Sequence, residues 1–193
     1  MEPRYRRLLE VLALASLMTA LGAGADEEVA PFPYVSVSAG GRIYFKMVPD
    51  PAAPFDLERG SGAAYEVRGT EGDVVLWTTS GWYAFTTFLS GDGTHLVRLG
   101  NWPRGHAPAD SHLAIAFYER DKLLKSYSTK DLILDATRIR PSASHYSFYV
   151  GQPGFVEPYG PAFRLVTVDG VEYEFDARSG AIQTTRKKLK APE

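Results

Sequence analysis

The chain has 193 residues, 21 of them basic and 23 acidic, with a formal net charge of −2 and no cysteine. A near-neutral, mixed-sign balance excludes broad electrostatic capture of nucleic acid or of an anionic membrane surface. Without cysteine there are no disulfide staples and no lipobox-type lipid attachment, so stability has to come from a buried core.

Residues 1–25 read as a secretory signal. Arg4, Arg6 and Arg7 lead into the apolar run Val11–Leu21, and Ala23-Gly24-Ala25 forms an A-x-A site before Asp26-Glu27-Glu28. The run is shorter than the ~20 apolar residues that span a bilayer, so cleavage is expected and stable membrane insertion is not. The surroundings of Arg6-Arg7 fit ordinary secretion better than a twin-arginine route. Export without disulfides points to a bacterial periplasm or cell exterior. The remaining length suits one domain: an acidic, Pro-rich lead-in at 26–34, a β-rich domain over 35–183, and a basic tail at 184–193 with Arg186, Lys187, Lys188 and Lys190.

From residue 35 onward the hydrophobic period is two. Ile43, Phe45 and Met47 alternate with Tyr44, Lys46 and Val48, which places one set on a core face. Asp50–Gly62, rich in Pro and Gly, reads as a first long loop. Glu71-Gly72-Asp73 separates Tyr65–Arg68 from Val74–Thr78, and Gly91-Asp92-Gly93 separates Phe85–Ser90 from Thr94–Leu99. Gly100–Ser111 is a second loop. Arg120-Asp121-Lys122 then divides Leu113–Glu119 from Leu123–Tyr127. Ser128 or Thr129 can cap one short helix near 129–137, with Asp131 in its first turn and Pro141 preventing continuation. Tyr146, Phe148 and Val150 are expected to face the core. Gly151–Pro161 reads as a third loop. Asp169-Gly170, between Phe163–Val168 and Val171–Phe175, predicts a hairpin with a two-residue type I′ turn. The expected fold is all-β: an antiparallel hairpin meander of about ten strands, built as a sandwich or a partial propeller-like stack.

Phe88–Leu99 and Leu165–Ala177 share one shape, an apolar strand, an acidic-Gly turn and a second strand. Phe175-Asp176-Ala177-Arg178-Ser179-Gly180 resembles the F-D-x-x-[ST]-G ending of some β-propeller repeats. The segments Gly41–Pro49, Asp92–Gly100 and Ala114–Tyr127 resemble those of uncharacterised secreted bacterial β-rich proteins. That resemblance implies fold and export and carries no activity.

Two candidate sites emerge. His106, Asp110 and His112 are of the right types to ligate zinc or a similar divalent ion, which would make a metal-dependent hydrolase of the 106–112 loop. Trp102, Arg104 and Tyr159 are the other set: exposed rings on loops make stacking platforms for sugar rings or peptide side chains. No G-x-S-x-G, nucleotide-cradle or calcium-loop pattern is present, and no catalytic residue or cofactor is assigned. Short strands broken by Arg98, Lys125 and Arg164 argue against an outer-membrane barrel. The leading expectation is therefore a non-catalytic exported domain that binds a small ligand or an envelope protein. The alternatives are the metal-dependent hydrolase and a structural subunit of an envelope assembly.

Overall fold

The computed structural model describes residues 29–187. The signal-like segment 1–25 and the end of the basic tail lie outside the described residues. Among the described residues there are twelve strands: β1 (Tyr34–Val37), β2 (Ile43–Val48), β3 (Ser61–Glu66), β4 (Val74–Ser80), β5 (Thr87–Leu89), β6 (His95–Leu99), β7 (Leu113–Glu119), β8 (Lys122–Ser128), β9 (Tyr149–Phe155), β10 (Ala162–Thr167), β11 (Val171–Asp176) and β12 (Ala181–Lys187). They form three four-stranded antiparallel sheets, β1–β4, β5–β8 and β9–β12, each a meander of strands consecutive in sequence. The all-β, propeller-like expectation holds, with two more strands than foreseen.

The sheets stack face on face. Phe45, Met47, Ala64 and Trp77 of the first sheet pack against Leu89, Leu96, Ala116 and Tyr118 of the second. The opposite face of the second sheet, with Val97, Leu99, Ile115 and Phe117, packs on Phe163, Leu165, Tyr173 and Phe175 of the third. The middle sheet is thus covered on both sides, which is why β7 is buried continuously from Ala114 to Tyr118 rather than alternately. The outer sheets keep the alternation, as in β11, where Val171, Tyr173 and Phe175 are buried between half-buried Glu172, Glu174 and Asp176.

The first strands of the three sheets lie together. The Tyr34 hydroxyl donates to the Ala84 carbonyl at 2.8 Å, and Ser36 Oγ donates to the Thr87 carbonyl at 2.8 Å, tying β1 to β5. A groove of about 360 Å³ is lined by Ser36 and Val37 of β1, Phe88 of β5 and Phe155 of β9. This is the relation of inner strands around a propeller axis.

Local corrections have physical causes. The third loop shrinks to residues 156–161, because β9 runs through Gly151, Pro153 and Gly154. β9 pairs with β10 alone, and its register breaks opposite Leu165, so an edge strand with a bulge accommodates a proline that a central strand would reject. Val150 is 47 % exposed, unlike Tyr146 and Phe148, because it lies on the face of the third sheet that no fourth sheet covers. The Asp169-Gly170 turn is a three-residue loop, Val168–Gly170. Gly170 N donates to the Thr167 carbonyl at 2.9 Å, and Gly170 has φ +79°. The helix α1 spans Thr129–Leu132 only, closed by a capping box between Ser128 and Asp131, and a separate 3-10 turn follows at Ala136–Arg138. β12 takes in residues 184–187, the start of the expected tail.

Candidate functional site

A line of aromatic rings runs across one end of the stack, the end at which β1, β5 and β9 begin. Tyr34 meets Tyr83 edge-on at 6.4 Å, Tyr83 meets Phe85 edge-on at 5.1 Å, and Phe85 stacks on Trp102 at 5.4 Å and 19°. Edge and offset-stacked contacts of this kind add about 0.5–1.5 kcal/mol each beyond area burial. Tyr83 is buried and its hydroxyl donates to the Phe32 carbonyl at 2.9 Å. Burial pushes the Tyr83 and Tyr34 phenols above their ordinary values, so both remain neutral donors.

Asn101 holds the outer end of this ladder. Its Nδ2 donates to the Tyr83 carbonyl at 3.0 Å, and its Oδ1 accepts from Phe85 N at 3.1 Å. The next residue, Trp102, is therefore placed by the anchored Asn101 side chain as well as by Phe85 beneath it. It is 49 % exposed, whereas Trp77 and Trp82 are buried at 9 % and 7 %. The loop beyond is fastened as well. Arg104 forms a backbone bridge with His145, Gly105 N donates to the Ser144 carbonyl at 2.8 Å, and Tyr146 N donates to the Pro103 carbonyl at 3.2 Å. Trp102 and exposed Arg104 thus share one end of the molecule on a stitched loop.

Tyr159 is not with them. It lies across Gly40 and Gly91, in the β1–β2 and β5–β6 turns, where a side chain on either glycine would collide with its ring. Those turns are at the far end of β6 from Trp102, and five residues of strand put roughly 16 Å between the two ends.

The three metal-ligand candidates are not assembled. His106 is exposed, Asp110 accepts from Lys130 Nζ at 2.7 Å, and His112 Nδ1 lies 3.0 Å from the Tyr146 hydroxyl. Among the described residues no three His, Asp or Glu side chains are grouped as metal ligands. The Tyr146 hydroxyl also bonds Thr129 Oγ1 at 2.8 Å, so His112 joins a network that ties its loop to the start of α1. Ser142 and Ser144 belong to a local turn in which Ser142 N donates to the His145 carbonyl at 2.8 Å.

The exposure of Trp102 was legible in the sequence, and what supports the ring was not. The alternation Tyr83-Ala84-Phe85 was the available signal, together with Asn101, whose amide can bond two backbone groups at once. A second feature, the open side of the first sheet, was not foreseen. It carries a groove of about 620 Å³ lined by Lys46, Tyr65, Thr78, Ser80 and, from the β7–β8 turn, Asp121. Tyr44 and Tyr65 stack there at 5.1 Å and 14°.

No known protein-family profile and no curated protein sequence matches the chain. Among solved structures, it is similar to the C-terminal WD40 domain of Sif2, with 7 % sequence identity and a TM-score of 0.40. The match covers 83 % of this chain and 41 % of that one, so this chain spans about two fifths of its length. The propeller-like arrangement described above stands on the three sheets themselves. No helix among the described residues is long and apolar enough to cross a membrane.

Proposed function

We propose that this protein is an exported, non-catalytic binding module that takes a flat ligand face, a sugar ring or a peptide side chain, against Trp102. The observation that carries this reading is the half-exposed Trp102 ring, fixed from below by Phe85 and from behind by Asn101. A ring held in place before binding loses little freedom when a ligand stacks on it, which preserves the gain from the contact. Arg104 on the same loop supplies donors for the polar edge of such a ligand. The leader-like first 25 residues support export. Metal-dependent hydrolysis at residues 106–112 loses its support, because Asp110 and His112 are engaged with different neighbours.

The test is binding of the purified protein and its Trp102→Ala variant to arrayed glycans and arrayed peptides. Saturable binding by the wild type, weakened about tenfold in the variant, is expected from the loss of one stacking contact of about 1.4 kcal/mol. Equal binding by both proteins removes Trp102 from the site.

A further inference from the structure

We infer that two copies of this chain close into one ring of six sheets, the open face of the first sheet in each copy packing on the open face of the third sheet in the other. The three sheets of one chain repeat a single packing relation, with β1, β5 and β9 along a common line. A propeller closes with four to eight sheets, so the three sheets of the described residues leave two faces uncovered, which a second copy can cover. The interface between copies then continues the packing already present between sheets one and two, and between sheets two and three.

The residues on the two open faces fit this closure. In register across the first sheet lie Val35, Lys46, Ala63 and Thr78, then Val37, Tyr44, Tyr65 and Val75. Val35, Val37 and Val75 are 54 %, 59 % and 51 % exposed. With the stacked Tyr44 and Tyr65 these valines put exposed apolar area beside the polar lining of Lys46, Thr78 and Ser80, a mixed face suited to a mixed partner face. Lys46 is the charged strand residue on that face. The open face of the third sheet presents Glu174 opposite Arg164 and Glu172 opposite Arg186. Glu174 can receive Lys46, and the arginine stems can cover the valines.

The area is also sufficient. A face of four strands, about six residues long, measures roughly 19 by 20 Å from strand spacing and rise. Two such faces per copy amount to roughly 800 Å² per partner, the usual size for a specific, stable interface. The ring leaves Trp102 at one end of the inner strands, so the two proposals stand or fall separately.

Sedimentation equilibrium of the purified protein across micromolar concentrations tests the ring. The wild type is expected at twice the chain mass. Ala63→Arg on one face and Glu174→Arg on the other are each expected to give folded monomers, with unchanged circular dichroism. Mixed, the two variants recover a weaker dimer, because one of their two shared interfaces is intact; only packing of unlike faces gives this result. A wild type that stays monomeric overturns the proposal, as does a dimer that Glu174→Arg leaves untouched. If a variant fails to fold, small-angle scattering of the wild type decides between a flat closed ring and an elongated pair, and the elongated pair overturns the proposal.

Discussion

Trp77 Nε1 donates to the Gly93 carbonyl at 2.8 Å, so a buried ring of the first sheet is bonded to the β5–β6 turn of the second. Trp77 also packs on Phe45 at 5.4 Å. The contact therefore joins the two sheets by polar and apolar terms together. Trp77→Phe keeps a ring and leaves the Gly93 carbonyl without its donor, which is expected to cost about 1–2 kcal/mol. Trp77→Ala also opens a cavity and is expected to cost about 3–5 kcal/mol. Urea unfolding curves of the two variants check both values.

The tip of the Phe45 ring points at Gly62, and the ring packs against Trp77 and Trp82 at ring distances of 5.4 and 6.2 Å. A methyl at residue 62 would run into the Phe45 ring, which has no room to retreat. Gly62→Ala is expected to destabilise by about 1–3 kcal/mol, the usual cost of overpacking. Gly154 has no atom within 4 Å of where a Cβ would sit, so Gly154→Ala is the control and should leave the melting temperature nearly unchanged.

These sites show how far sequence carried. Phe45 and Met47 were legible as core because strict alternation admits one buried face, and the outer sheets obey it. The path of β9 was not legible, because Gly151, Pro153 and Gly154 carry turn chemistry that only an unpaired edge and a bulge in register can absorb. The loop residues were hardest. Trp102 and Tyr159 both sit beside Pro and Gly in exposed loops, but strand direction sends them to opposite ends of β6. His106, Asp110 and His112 are close along the chain, yet Lys130 and Tyr146, distant in sequence, claim Asp110 and His112.

The Tyr173 hydroxyl donates to the Leu132 carbonyl at 2.7 Å, and burial pushes its phenol from 10.0 up to about 12. With the folded pKa above the unfolded one, this group's contribution is complete below pH 10 and is lost as pH rises toward about 12. Stability is therefore expected to fall across that window, and Tyr173→Phe should flatten part of the fall. Chemical denaturation at stepped alkaline pH, with absorbance titration of the phenols, measures it.

At the start of α1 the Asp131 carboxylate accepts from Ser128 N at 2.7 Å, which holds its pKa below the ordinary carboxylate range. Its contribution is present above that range and is lost as pH falls through the lower folded value. Ser128→Ala removes the hydroxyl half of the capping box and is expected to cost about 1 kcal/mol. Thermal melts at neutral and acid pH separate the cap from its titration: the serine variant loses stability at neutral pH, where Asp131 is ionised.

Hydroxyl-radical footprinting of the three tryptophans, alone and with the ligand that the arrays identify, tests the account at its centre. Trp102 should oxidise much faster than Trp77 and Trp82, and the ligand should protect it. Equal reactivity of all three rings, or protection that falls elsewhere and leaves Trp102 as reactive as before, would contradict it.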